Sequence, residues 1–427
     1  MWSSKADEGV RLAHYTCQRV SLFLKVPYFR PSISEAEINE VVDSLRSGWL
    51  TTGPKVARFE QDFAKAVSAP YSVALNSCTA ALHLALEAIG LKRGEMVLVP
   101  TMTFAATAEV VRYFDAAPVF VDCGHDLNIS PTELERTIAA IRAGEPVAGL
   151  KPPYGRIRAL IPMHYGGYCC DMRAVMGIAN RHQIAVIEDA AHAFPASFRS
   201  DSDGEWLSAG RFGKVGCFSF YANKCITTGE GGMAVTDDPA LAERIRLMSL
   251  HGMSKDAWKR YTAQGSWDYE LIAPGFKYNL TDLAAAIGLH QLARAGEFRL
   301  ARERIARAYN ERFQRLPQLE TPAGDADTRI NSWHLYVLRL RLDTLTIDRA
   351  RFIDELKARG VACSVHWLPL HLHPYYRQTY GLGEGLFPVA EREWRRVISL
   401  PIFPDMRNDE LEYVCSAVEE VVVKYAR

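Results

Sequence analysis

The chain reads as an α/β protein, with a largely parallel sheet covered by helices on both faces and a second, smaller α/β unit after it. Three observations predict this. Short apolar runs of strand length alternate with helical segments through the first two thirds of the sequence, the pattern of a sheet buried on both sides. A long helical stretch, TDLAAAIGLHQLARAGEFRLARERIARAYNERFQRL, then separates that part from the rest. Beyond it, strand and helix signals recur on a smaller scale. At 427 residues, 48% hydrophobic and 23% charged, the chain is long enough for two packed units.

From the N-terminus, the amphipathic stretch SISEAEINEVVDSLRSG comes first. In WLTTGPKVARFEQDFAKAV, the apolar Val56, Phe59, Phe63 and Val67 recur at helical spacing. A turn at Ala69 and Pro70 leads to the strand YSVAL, which runs through NSCT into the helix AALHLALEAIG, with Ala81, Leu84, Ala85 and Ala88 on one face. MVLVP, APVFVD, IRALIPMH, IAVIEDA, GCFSF and GMAVTD read as further strands, with helices such as DMRAVMGIANRH between them. The Ser, Asp and Gly-rich FRSDSDGEWLSAG reads as a loop, and so does SKDAWKRYTAQGSWDYE. After the long helical stretch, SWHLYVLRLRL, DRARFIDELKARG, VACSVHWLP and DELEYVCSAVEEVVVKY read as strand, helix, strand and helix. The last carries Leu411, Val414, Val418, Val421 and Val422 on one stripe.

Composition excludes several function classes. Fifty basic residues balance fifty acidic ones, so no nucleic-acid or membrane-surface footprint is expected. The apolar patch at Val20 to Leu24 is too short and interrupted for a signal peptide or a membrane span, and a cytoplasmic protein is expected. Nine scattered cysteines without a CxxC pair indicate neither a zinc site nor a disulfide framework.

In an open sheet of this kind, ligands bind at the carboxyl ends of the strands. Four groups of reactive residues stand just after strand signals. Ser77, Cys78 and Thr79 follow SVAL and open a helix. Such a turn exposes backbone N–H groups at the positive end of a helix dipole and suits a phosphate; N-capping by Ser77 or Thr79 explains the same residues without a ligand. Phe104 follows VLVP through TMT. Asp189 and His192 follow AVIE, where a buried aspartate bonded to backbone amides is the other reading. Ser219 and Lys224 come with GCFSF, in CFSFYANKCITTGEGG. Lys224 is either a solvated loop cation or an amine held in a pocket to react with a carbonyl. The glycines after it read as room for the backbone to pass close to a ligand.

Taken together, the four groups share one chemistry. An amine for a Schiff base, an anion nest, an aromatic face and a carboxylate are the fittings for pyridoxal phosphate. No GxGxxG follows any strand, which speaks against a dinucleotide-binding oxidoreductase on a similar sheet.

The motifs GWLTTGPKVARFE, NSCTAALHLAL, PTMTFAAT, EDAAHA, CFSFYANKCITTGEGG, FKYNLTDLAAAIGLHQL and VHWLPLHLHPYY resemble those of the DegT/DnrJ/EryC1/StrS family of sugar aminotransferases. The likeness runs from VPYFRPSI to the C-terminus. It implies the aspartate aminotransferase (type I) fold, whose large domain holds a mostly parallel, seven-stranded sheet. It also implies a division into an N-terminal extension (1–25), a segment packing near the active site (26–54), a large cofactor-binding domain (55–280), and a linking helix with a small C-terminal domain (281–427).

The resemblance implies a role for each site residue. Lys224 carries the cofactor and shuttles protons, and Asp189 pairs with the pyridine nitrogen. His192, where many relatives have glutamine, hydrogen-bonds the ring hydroxyl. Phe104 stacks on the ring, while Cys78, Thr79 and Ser219 bind the phosphate. Asn279 reaches the phosphate of a neighbouring subunit, which implies a homodimer with shared active sites. Some relatives carry histidine in place of the lysine and deoxygenate sugars; Lys224 argues for amino transfer. Glutamate is the implied amino donor and a nucleotide-linked ketosugar the acceptor. The segment VHWLPLHLHPYYRQTYG looks more like members acting at C4 than at C3, with a cyclitol enzyme or a silent cofactor-binding relative as the other readings. For the sugar and diphosphate, the candidate contacts are His164, Tyr165, Trp258, Lys259, Arg260 and His366; each is equally readable as a surface or packing residue.

Overall fold

The computed structural model describes residues 24–199, 203–253 and 270–427. Ser34 opens α1 (Glu35–Ser47) with a capping box to Glu37, and Gly48 closes it in the left-handed conformation. α2 (Pro54–Ala66) starts on a proline and buries Val56, Phe59 and Phe63. Its first N–H groups have no intrahelical acceptor, and the Asp282 carboxylate takes the N–H of Gly53, Lys55 and Val56 instead.

Strands and helices then alternate as β1 (Tyr71–Leu75), α3 (Cys78–Ala88), β2 (Met96–Pro100), α4 (Ala105–Arg112), β3 (Ala117–Val121), α5 (Pro131–Ala143), β4 (Ile157–Leu160), α6 (Met172–His182) and β5 (Ala185–Asp189). Two short strands, β6 (Ser197–Phe198) and β7 (Leu207–Ser208), precede β8 (Val215–Ser219), β9 (Gly232–Thr236) and α7 (Pro239–Ser249). The main sheet has seven strands in the order β1-β9-β8-β5-β4-β2-β3. From β8 to β3 every pairing is parallel, and β9 runs antiparallel to both of its neighbours. β2 is buried at every position, as a strand covered on both faces must be. One face is covered by α2, α5 and α6, the other by α3, α4 and α7.

The expected linking helix is two helices, α8 (Asp282–Ala293) and α9 (Ala295–Phe313). The backbone leaves helical geometry at Arg294, whose guanidinium reaches Ser32 and Glu37. After it come β10 (Leu319–Glu320), β11 (Arg329–Ile330), β12 (Tyr336–Leu340), α10 (Arg349–Ala358), α11 (Pro374–Tyr380), α12 (Pro388–Arg396), β13 (Val397–Leu400) and α13 (Asn408–Tyr425). β10, β12 and β13 form a second, antiparallel sheet, with its own core against α9, α10 and α13.

Two expectations are corrected. FRSDSDGEWLSAG is not all loop: its ends supply β6 and β7, which join β11 in a small third sheet. VACSVHWLP makes only isolated bridges, Val361 to Val26 and Ser364 to Ser399. The place beside β12 is taken by VISL, the run that forms β13, and the His366 carbonyl accepts from the Tyr165 hydroxyl rather than from a strand. Among the described residues, no helix is long and apolar enough to cross a membrane.

Phe63 anchors the core beneath the sheet, its ring 4.9 Å from Phe194, 5.0 Å from Phe218 and 5.3 Å from Phe220. Phe63→Ala is expected to cost about 3–5 kcal/mol through the cavity it leaves, read as a lower denaturant midpoint. Val423→Ala, at a position 75% exposed, is expected to move the midpoint by less than about 0.5 kcal/mol.

Candidate active site

The site forms where β5 and β8 end beside the start of α3. Ser77 caps α3, its Oγ accepting the Ala80 N–H at 3.1 Å. The Cys78 and Thr79 N–H groups, in the first turn at the positive helix end, meet no acceptor among the described residues. Both readings of this turn therefore hold at once: the serine caps, and the next two amides stay open to an anion. Gly232, the first residue of β9, pairs with Leu75 on one side and Ser219 on the other. A Cβ there would sit 2.4 Å from the Ser77 carbonyl carbon and 2.5 Å from the Cys78 nitrogen. The room that glycine leaves is filled by the chain's own backbone at the nest. Ser219 Oγ accepts the Tyr221 N–H at 3.3 Å, which leaves the hydroxyl proton to donate.

Lys224 follows in a turn closed by its N–H to the Tyr221 carbonyl at 2.9 Å. Its Nζ makes no hydrogen bond or ion pair among the described residues. Burial lowers its pKa to about 8, against the opposing pull of Cys78 and Asp189. The lysine, the nest and the carboxylate thus act on one another electrostatically.

Asp189, at the end of β5, is buried. Its Oδ2 accepts from Thr107 Oγ1 at 2.7 Å and its Oδ1 from the Ala191 N–H at 3.1 Å. Burial pushes its carboxyl up, and these bonds and the Lys224 charge hold it back. Its neighbour Glu188 points the other way and accepts the N–H groups of Gly210, Phe212 and Gly213.

His192 is buried, and its Nδ1 accepts the Gly166 N–H at 3.3 Å. The ring proton therefore sits on Nε2. Burial and then the Lys224 charge hold this imidazole well below the usual histidine range, so it is neutral. Phe104, just before α4, is 58% exposed, and its ring lies 6.3 Å from that of Trp367.

Other expected residues lie differently. Asn279 bridges Leu75 at the end of β1, and its Nδ2 donates to Thr52 Oγ1 at 2.7 Å within the same chain. His164 is corrected: it is wholly buried, with Nε2 3.0 Å from Glu188 and Nδ1 accepting the Cys170 N–H at 3.1 Å, which leaves no ring nitrogen for a sugar. Tyr165 is likewise buried, its hydroxyl spent on the His366 carbonyl. His366 Nδ1 lies 2.8 Å from Ser399 Oγ, and burial lowers its pKa to about 4. Trp258, Lys259 and Arg260 lie outside the described residues.

Three residues of the cleft escaped the sequence reading. Thr107 orients Asp189, Trp367 packs its ring 5.1 Å from His192, and the His334 ring lies 4.1 Å from His192. Thr107 and Trp367 sat inside motifs singled out for other residues, and His334 sat in a run read only as strand. Only the Phe104 to Thr107 spacing, one helical turn, was a local signal.

Such an arrangement offers a weakly basic amine, two open amides at a helix start and a buried carboxylate at neighbouring strand ends. Residues 31–419 match the DegT/DnrJ/EryC1/StrS aminotransferase family. The uncharacterized protein MJ1066 of Methanocaldococcus jannaschii is 45% identical over 398 residues, 93% of this chain and 97% of that protein. The spore coat polysaccharide biosynthesis protein SpsC of Bacillus subtilis is 43% identical, over 93% of this chain and 97% of that one. Among solved structures, Spr1654 of Streptococcus pneumoniae, a candidate sugar aminotransferase in its PLP and PMP forms, aligns with a TM-score of 0.82 at 30% identity, over 94% of this chain and 99% of that one. The chain therefore belongs to the DegT/DnrJ/EryC1/StrS aminotransferase family and is a pyridoxal-phosphate-dependent aminotransferase.

Proposed function

We propose that this chain moves an amino group from L-glutamate to C4 of a nucleotide-linked ketosugar, as a step of cytoplasmic aminosugar biosynthesis. The observation that carries the reading is the meeting of Lys224, Asp189 and the open amides of Cys78 and Thr79 in one cleft. SpsC, named for polysaccharide biosynthesis, supports the aminosugar route, and the likeness of VHWLPLHLHPYYRQTYG to C4-acting members supports the position.

The residues present fit pyridoxal phosphate. Two N–H groups at the start of α3 have no acceptor of their own, and a buried carboxylate pushed up by desolvation favours a cationic partner. When bound, the cofactor supplies an electron-accepting ring and a carbon that alternately takes up and releases nitrogen.

The chain's own residues do the rest. Lys224 Nζ would hold the cofactor at its aldehyde carbon, and as a free amine it would serve as the base for the donor's α-proton. A pKa near 8 leaves part of the amine neutral for this at neutral pH, which an ordinary lysine would not. Asp189, its two oxygens fixed by Thr107 and Ala191, would keep the ring nitrogen protonated. His192 would donate its Nε2–H to the ring oxygen, and Phe104 would cover the ring face. Cys78, Thr79 and the Ser219 hydroxyl hold the phosphate, with Asn279 of a second copy reaching it across a homodimer interface. His366 and the Trp258 to Arg260 segment contact the sugar and its diphosphate. Residues 55–280 then form the cofactor-binding domain and 281–427 the linking helices and small domain, with 26–54 packing near the site.

Lys224→Ala is expected to abolish amino transfer and the long-wavelength absorbance of the lysine-bound cofactor; either one surviving would sink the assignment. Asp189→Asn is expected to keep cofactor but lose kcat by about 100-fold or more, the range for a positioned acid–base group.

The pH dependence follows from a folded pKa of about 8 against an ordinary value of 10.5. In the cofactor-free protein, Lys224 is charged below 8 and neutral above it. The unfolded chain binds the proton more tightly, so this group's contribution to stability rises with pH between 8 and 10.5. Reductive methylation of Lys224, followed by peptide mass spectrometry, is expected to have its midpoint near 8, with surface lysines near about 10.4.

The substrate is tested by offering the amino-loaded enzyme a panel of nucleotide-ketosugars and finding by NMR which carbon gains nitrogen. Nitrogen at C4 is expected. Nitrogen at C3, or on a cyclitol, would overturn the position.

A further inference from the structure

His334 lies in the cleft without a part in the reaction as proposed above. It is 95% buried by area, being 5% exposed. Its Nδ1 is sealed from solvent without a hydrogen-bond partner among the described residues. Its ring centroid is 4.1 Å from that of His192, with the planes inclined at 52°. His192 also meets Trp367 at 5.1 Å and 32°. The His192 ring is thus packed by both an imidazole and an indole, with the Gly166 N–H on Nδ1.

The turn that presents His334 is strained and held from several directions. Trp333 has φ +54°, a left-handed conformation that a bulky residue rarely adopts and that persists only where the surroundings impose it. Ser332 Oγ donates to the His192 carbonyl at 2.7 Å, and its N–H donates to the Gly167 carbonyl at 3.2 Å. The Ser332 carbonyl accepts from Cys225 Sγ at 3.6 Å, one residue beyond Lys224. The Trp333 and Ile402 carbonyls accept from Nη1 of the fully buried Arg302, at 3.3 and 2.9 Å. One short segment is therefore tied to His192, to the lysine turn and to α9.

We propose that His334 is a positioning residue, whose ring packs against His192 and holds it as the Nε2–H tautomer facing the cleft. The inference rests on the role given to His192 above. Both rings are neutral, since burial depresses each of them and the Lys224 charge depresses them further. The contact thus works by shape: a rigid flat neighbour leaves the His192 ring one orientation.

The full chain tests this in two ways. In cofactor-free protein with ¹⁵N-labelled histidine, the His192 signals, assigned with His192→Gln, are expected to show an unprotonated Nδ1 and a protonated Nε2. His334→Ala is expected to average the two, and His334→Phe to restore them. In the loaded enzyme, His334→Ala is expected to retain cofactor, shift the pH midpoint of its visible absorbance and lower kcat about 10- to 100-fold, the loss that a misplacement of an ångström brings. His334→Phe is expected to recover most of that rate. An unchanged His192 tautomer in His334→Ala would overturn the proposal. Rescue by His334→Gln but not by His334→Phe would overturn it too, since the nitrogen rather than the ring would then matter; that pair also carries the comparison if His334→Ala does not fold. Should His192→Gln leave absorbance and rate unchanged while His334→Ala still disturbs the tautomer, the role of His192 falls and the packing inference stands.

Discussion

The cleft depends on one close approach of two backbones. Gly232 lies between Leu75 and Ser219 in the sheet, and its missing side chain lets β9 run against the Ser77–Cys78 peptide. Any larger residue would have to move that peptide, because backbone atoms and not a flexible side chain occupy the space. The approach brings three things together: the end of β1, the open amides of α3, and the strand that carries Ser219 toward Lys224. The antiparallel β9, the exception in an otherwise parallel run of pairings beside β1, is the element that makes the junction.

The paired acids at the end of β5 divide the burden of building and using the site. Strand alternation sends Glu188 and Asp189 to opposite faces. Glu188 is satisfied by three N–H groups of the 210–213 turn and by His164. That turn leads directly into β8, so the carboxylate that faces away from the cleft fixes the entry of the strand that leads to the lysine turn. Asp189 accepts only a hydroxyl and one amide. It is under-satisfied for a buried carboxylate, and this leaves it able to stabilise a cation within the cleft.

Much of the first sheet was legible because its signals are local. YSVAL, MVLVP and GMAVTD are strands at the residues where the apolar runs stand, and the α2 spacing buries Val56, Phe59, Phe63 and Val67 as written. The site residues stood out because strand ends are local features too. What escaped is what depends on contacts across the chain. The VACSVHWLP run has strand composition, yet the ladder position went to VISL, a choice that only tertiary packing makes. The break at Arg294 follows from an anchor more than 250 residues away in the sequence, at Ser32. Trp367 and His334 lie beside His192 only once the second sheet is docked, and no spacing in the sequence announces that. His164 shows the converse error, since a histidine after a strand looks reactive until both nitrogens are seen to be taken.

The electrostatics of the cleft favour a single cation at a time. His192, His334 and His366 are each depressed by burial and by the charge on Lys224, and repulsion is mutual, so a proton on any of them would press the lysine lower still. Burial holds the pKa of Lys224 itself at about 8, below that of an ordinary lysine. Three imidazoles are therefore neutral packing surfaces beside the amine, which leaves Lys224 as the group that takes the charge. The Asp189 carboxylate opposes this, and it favours positive charge at the end of β5. The under-satisfied carboxylate at the end of β5 would favour a cationic group and the open amides at the start of α3 an anionic one, while burial leaves the Lys224 amine free to be neutral part of the time.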